Sequence, residues 1–119
     1  MDRNEMQERT KQFALRVMSM IDHLPASVKG RVLADQVMRS ATSVAANYRA
    51  ACRARFKKEF AAKLGIALEE ADESQLWISL IIEGAILPRE RLAPLENEAD
   101  EICAILFATW RSARESLSK

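Results

Sequence analysis

Only three prolines and three glycines are spread over 119 residues, against nineteen alanines. Breakers this sparse leave room for little except long helices joined by short turns, since Gly and Pro interrupt helices and Ala favours them most. The intervals between breakers carry apolar residues at steps of three, four and seven, the period of a helix buried on one face. At this length the chain makes one domain, residues 1–119, able to bury roughly two-thirds of its unfolded surface without staples.

Four helices follow from the pattern. The first is predicted from about Asp2 to Leu24, with Met6, Phe13, Val17, Met20 and Leu24 on one face and Asn4 with Gln7 as a capping box. Pro25 stops it by disfavouring the α conformation in the preceding residue. The second is predicted from an N-cap at Ser27 to about Arg53, with an apolar stripe of Leu33, Val37, Val44, Tyr48 and Ala51. Arg39, Arg49 and Arg53 fall roughly opposite that stripe, with Gln36, Ser40, Ser43 and Asn47 in a small polar row between.

The third helix is predicted from Lys57 to about Ile86, with a seam of Phe60, Leu64, Ala67, Ala71, Ile78 and Ile81. Its stretch LWISLII, Leu76 to Ile82, is apolar almost all round, which implies either a bulky core layer or a subunit interface. Leu87-Pro88 ends it. The fourth begins between Arg89 and Pro94, with Pro94 expected in its first turn, and runs to about Ser116. Leu92, Leu95, Ala99, Ile102, Leu106, Thr109 and Ala113 form its seam, with Trp110 flanking the core or an interface. Short connections make consecutive helices antiparallel neighbours. The expected fold class is therefore all-α, an antiparallel up-down four-helix bundle.

Composition and motifs exclude much chemistry. The 49% apolar and 29% charged content is that of a globular chain. No apolar run reaches the ~20 residues of a membrane span, and the charged start MDRNEMQERT lacks the apolar core of a secretory signal, so a cytoplasmic protein is expected. Cys52 and Cys103 have no CxxC spacing and read as free, partly buried thiols. His23 suits a helix C-terminus and is the sole histidine, too few for a metal site. Glu69, Glu70, Asp72 and Glu73 lack the Glu-x-x-His partners of a di-metal bundle. With no phosphate loop and no HExxH, neither cofactor, metal nor catalytic set is expected, and the chain does not read as an enzyme.

Charge supplies the remaining signal. Net charge is only +1, yet Ala26 to Lys63 holds nine basic residues against Asp35 and Glu59, a balance of +7. Glu69 to Glu101 holds ten acidic residues against Arg89 and Arg91, a balance of −8. Three readings stand side by side: solvated faces that neutralise across the bundle, a dipolar subunit that packs into a ring, or a polyanion site. The candidate nucleic-acid-binding residues are Arg39, Arg49, Arg53, Arg55, Lys57 and Lys58. Tyr48 and Phe60 lie on predicted core faces, which leaves Phe56 as a stacking platform, so binding would be mainly electrostatic and salt-sensitive.

The segment Leu33 to Glu83 resembles a known family. RS-x-x-SV-x-AN at Arg39–Asn47, YRAACRAR at Tyr48–Arg55, KEF at Lys58–Phe60 and KLGIALEEADES at Lys63–Ser74 are similar to the core of the four-helix bundle proteins first noticed as open reading frames in intervening sequences of bacterial large-subunit ribosomal RNA genes. RERLAPLENEADEICAIL, Arg89 to Leu106, fits the family's last helix. The resemblance implies a bundle that assembles into a ring-shaped homopentamer. A relation in fold to the basic pentameric accessory proteins of diversity-generating retroelements, which contact a reverse transcriptase and nucleic acid, implies RNA, DNA or a nucleic-acid-processing protein as partners. A scaffold whose charges serve ring assembly is the alternative.

Two positions depart from the family pattern. Relatives commonly carry Glu where this chain has Ala50, so the patch beside Arg49 and Arg53 is more positive here. They commonly carry Ser at Phe56, where Ser-x-x-Glu with Glu59 would close a capping box. Phe56→Ser should therefore stabilise the protein by about 1 kcal/mol. Thermal denaturation checks this, and a lowered midpoint would instead show that Phe56 packs against something.

Overall fold

The computed structural model describes residues 1–118 and shows four helices: α1 Arg3–Ile21, α2 Val28–Cys52, α3 Lys57–Glu83 and α4 Arg89–Leu117. They form an up-down bundle with extents of 49 × 22 × 20 Å, each helix packing on its two neighbours around a square. The α2–α3 and α3–α4 contacts are the most extensive, and the α1–α4 contact is the sparsest.

The helix ends show where local chemistry outranked periodicity. The N-cap of α1 is Asp2, whose Oδ1 accepts from the Glu5 amide at 2.8 Å. The expected Asn4–Gln7 box does not form, because Asn4 already lies inside the first turn. The helix also stops at Ile21 rather than Leu24, and half-buried Leu24 packs on the core from the turn. Ser27 caps α2 as expected, accepting from Gly30 at 3.1 Å. Gly30 is required there, since a Cβ would meet the Pro25 carbonyl oxygen at 2.0 Å. Phe56, 70% exposed, occupies the N-cap of α3 and makes no capping hydrogen bond.

The end of α3 corrects the expected limit of Ile86. Ala85 donates to Ile82 O and Ile86 to Ile81 O, both at 3.0 Å, the bond pair of a Schellman motif. The left-handed residue is Ala85, with φ 55°, rather than neighbouring Gly84. Helix α4 starts at Arg89, so Pro94 falls in its second turn instead of its first. There it lacks the N–H that would otherwise serve the Glu90 carbonyl.

The core lies along the bundle axis. Phe13 and Val17, Val37 and Val44, Leu64 and Ile78, and Ile102 and Leu106 bring at least two fully buried side chains from each helix. Each such side chain contributes on the order of 1.5–3 kcal/mol relative to exposure. Leu33, Phe60, Thr109 and Ala113 of the expected seams are only half-buried, near helix ends where the bundle opens. The core-layer reading of LWISLII holds for Ile78, Ile81 and Ile82, while Leu76 is 47% and Leu80 43% exposed.

Polar side chains also enter the α2–α3 seam. Ser74 Oγ and Ser40 Oγ, both fully buried, are 2.8 Å apart, and each also bonds a carbonyl of its own helix, Glu70 and Val37 respectively. Ala41, Ala67 and Ala71 are buried in the same core, so small side chains let these two helices approach closely. Replacing Ala85 with Gly removes the strain of a Cβ at positive φ. It should raise stability by about 0.5–1 kcal/mol, read as a higher urea midpoint with unchanged slope.

Candidate nucleic-acid interface

The up-down topology gathers four termini at one end: the start of α1, the end of α2, the start of α3 and the end of α4. The α2–α3 turn, residues 53–56, sits in the middle of that end. Arg53 closes α2, its amide shared between the carbonyls of Ala50 and Ala51. Arg49 and Arg53 at this terminus suit the negative end of the α2 dipole. Lys57 and Lys58 do the opposite: they open α3, where the dipole repels cations and no side chain caps the free amides.

The six candidate residues do not form one patch. Arg39 belongs elsewhere, about 15 Å along α2 from Arg49. Its guanidinium bridges Glu70 at 3.2 Å and Glu73 at 2.7 Å on α3. These two bridges set Arg39 apart from the other five candidates. The other five are exposed, and among the described residues none lies within ion-pair distance of a carboxylate.

Those five spread round the bundle end as a collar. Arg49 and Arg53 border an α1–α2 groove of ≈ 420 Å³ that also receives Lys11, Asn4, Gln7 and Glu8. Lys57 borders a pocket of ≈ 410 Å³ with Arg3. Lys58 borders an α3–α4 groove of ≈ 700 Å³ with Arg114 and Trp110. Arg55 projects from the turn itself.

Arg3, Lys11 and Arg114 were not among the sequence candidates. An up-down bundle must return its first and last turns to the α2–α3 turn, and that topology was the signal available to find them. Stacking surface was underestimated for the same reason. Phe107, 49% exposed, lies 6.1 Å from Trp110 between ring centroids, and the Arg114 guanidinium covers Trp110 at 5.5 Å. Aromatic surface on this side of the bundle therefore includes Phe107 and Trp110 besides Phe56.

Away from the collar two arginines bridge the acidic helices. Arg9 on α1 grips Glu98 of α4 through Nε and Nη2, both at 2.7 Å, and reaches Glu101 at 2.6 Å. This fork holds the Glu98 carboxyl below its usual range, and Arg9 above its own, against the opposing effect of burial. With the Arg39 bridge it ties acidic α3 and α4 to basic partners along the bundle's middle.

A family model described as 23S rRNA-intervening sequence protein matches residues 2–108. A crystal structure of a protein with unknown function from the S23 ribosomal protein family of Bacteroides thetaiotaomicron VPI-5482 superposes with a TM-score of 0.84. It is 32% identical, and the match covers 93% of this chain and 99% of that one. No curated protein matches significantly.

Two buried acids set an alkaline limit on the bundle. Burial pushes the Tyr48 hydroxyl up to about 12, helped by the adjacent Cys52 thiol. Burial pushes the Cys103 thiol up to about 11, helped by Asp72 and Asp100. Cys52 and Cys103 are both free and half-buried, as expected. An unfolded chain ionises these groups near pH 10 and 8.5, so it loses protons first as pH rises. Stability should be constant in this respect below about pH 8.5 and fall progressively towards pH 12. Cys103→Ala and Tyr48→Phe should each flatten part of that decline in melting temperature measured against pH.

Proposed function

The chain belongs to the 23S rRNA-intervening sequence protein family, and we propose that it is a non-enzymatic, homo-oligomeric protein whose basic collar binds RNA or DNA. The observation that carries this reading is the placement of Lys57 and Lys58. The α3 dipole disfavours cations there, no carboxylate among the described residues partners them, and the helix lacks a capping side chain. Glu59 is the one acid of that first turn, and a bound phosphate would supply the acceptor that the free amides lack. Arg49, Arg53 and Arg55 extend the positive surface, and Trp110 with Phe107 adds stacking area.

Assembly is the second part of the proposal. Leu76 and Leu80 stand nearly half exposed, one helical turn apart, with Glu69 and Glu73 on the same α3 stripe. The α2–α3 register that sets Arg39 against Glu73 also sets Val32, 52% exposed, against Leu80. Such a patch favours burial against another copy, and the resemblance to ring-forming relatives supports a pentamer. A ring would bring several collars to one strand and multiply their affinity, with a nucleic-acid-processing protein as a further partner. The same patch is what favours the alternative of a pure scaffold.

One measurement series separates these readings. Size-exclusion chromatography with light scattering should give a closed oligomer, and Leu76→Glu with Leu80→Glu should dissociate it. Binding of the nucleic-acid-free protein to single-stranded RNA or DNA should weaken steeply with salt. Changing Arg49, Arg53 and Lys57 to Ala should lower the log–log slope by about 2, at ~0.7 per lost phosphate contact. An intact ring that binds no strand at low salt would leave the scaffold reading.

A further inference from the structure

The pocket between the opening of α1 and the openings and ends of its neighbours is walled unlike the rest of the surface. Arg3, Tyr48, Lys57, Thr109, Ser112 and Ser116 line it, drawn from all four helices, and no carboxylate does. Arg3 and Lys57 are the first residues of α1 and α3, so two helix N-termini meet there with a cation on each. The nearest acid in sequence, Asp2, is turned to the Glu5 amide as the α1 cap.

Two features mark this pocket as prepared for a ligand. The Arg3 guanidinium lies 4.5 Å from the centroid of the Phe60 ring and has no carboxylate within ion-pair distance among the described residues. Its position is set by the ring while its forked N–H donors stay uncommitted. Tyr48 is only 4% exposed, yet its hydroxyl forms no hydrogen bond to oxygen or nitrogen among the described residues, and its polar contact is the weakly accepting Cys52 thiol. With only a thiol as its partner, this hydroxyl at the pocket wall stays available to donate to a ligand.

The volume, ≈ 410 Å³, narrows the choice. Inorganic phosphate would leave most of it empty, whereas a small organic ligand suits a site of this size. From the donor set, the absence of acids and this volume, we infer that the pocket takes a nucleoside bearing a terminal phosphomonoester, either the phosphorylated end of a strand or a free mononucleotide. Arg3 and Lys57 hold the phosphate, Tyr48 donates to it, and the Ser112 and Ser116 hydroxyls meet the sugar or base edge. The strand-end form rests on the collar reading: the internal phosphates lie along Arg49, Arg53 and Lys58 while the terminal nucleotide enters the pocket.

Fluorescence anisotropy with two single-stranded oligonucleotides, identical except for a 5′-phosphate or 5′-hydroxyl, tests the inference, with uridine monophosphate as competitor. The wild-type protein should bind the phosphorylated strand about tenfold more tightly, as two charge-assisted contacts allow. Arg3→Gln and Tyr48→Phe should abolish that preference while keeping affinity for the hydroxyl strand, and Arg49→Ala should weaken both strands alike. Arg3 is exposed, so Arg3→Gln keeps the test decisive should Tyr48→Phe fail to fold. Equal wild-type affinity for both strands, with no binding of uridine monophosphate by calorimetry, overturns the pocket and leaves the collar standing. Mononucleotide binding that Arg3→Gln abolishes, without strand binding, assigns the pocket to free nucleotides and overturns the collar instead. No binding of either kind overturns both.

Discussion

The close approach of α2 and α3 governs the rest of the molecule. Helices satisfy their backbone hydrogen bonds internally, so only side chains decide which helices meet and in what register. Here buried Ser40 and Ser74 face one another at 2.8 Å within a seam rich in alanine. Sliding one helix by a turn would break the Ser40–Ser74 hydroxyl contact and pull Arg39 from Glu70 and Glu73. With that register held, the four-residue turn at 53–56 can only bring Arg49 and Arg53 beside Lys57 and Lys58. The fold therefore assembles the basic end as a consequence of packing far from it.

Most of this architecture was legible in the residues. Four apolar stripes at helical period named most of the core, including Phe13, Val17, Val37, Val44, Leu64 and Ile102. The ends were less legible because they depend on single hydrogen bonds. Asp2 outcompeted Asn4 as a cap, and Ala85 took the left-handed position beside an available glycine. Ser40 read as part of a polar row between stripe and arginines, and its burial depends on a partner hydroxyl 34 residues away that no local pattern announces.

The basic end was legible in composition and illegible in shape. A balance of +7 over Ala26–Lys63 identified Arg49, Arg53, Arg55, Lys57 and Lys58. Linear spacing could not show that Arg39 is spent on α3 carboxylates, nor that α1 and α4 return Arg3, Lys11 and Arg114 to the same end. These contributions come from residues more than a hundred positions apart, which only topology joins.

What distinguishes the collar from ordinary surface charge is the contrast with the middle of the same bundle. There, two arginines each bridge a pair of carboxylates on another helix: Arg9 takes Glu98 and Glu101, Arg39 takes Glu70 and Glu73. The same chain leaves Arg49, Arg53 and Arg55 without such partners among the described residues, and puts two lysines where a helix dipole opposes them. Exposed pairs contribute about 0–1 kcal/mol each, so stability alone asks little of either arrangement. The cations at the end repel one another, and Lys57 and Lys58 also oppose the α3 dipole. The proposed polyanion would relieve both repulsions at once, which is why the collar reading rests on this end and not on the bundle's middle.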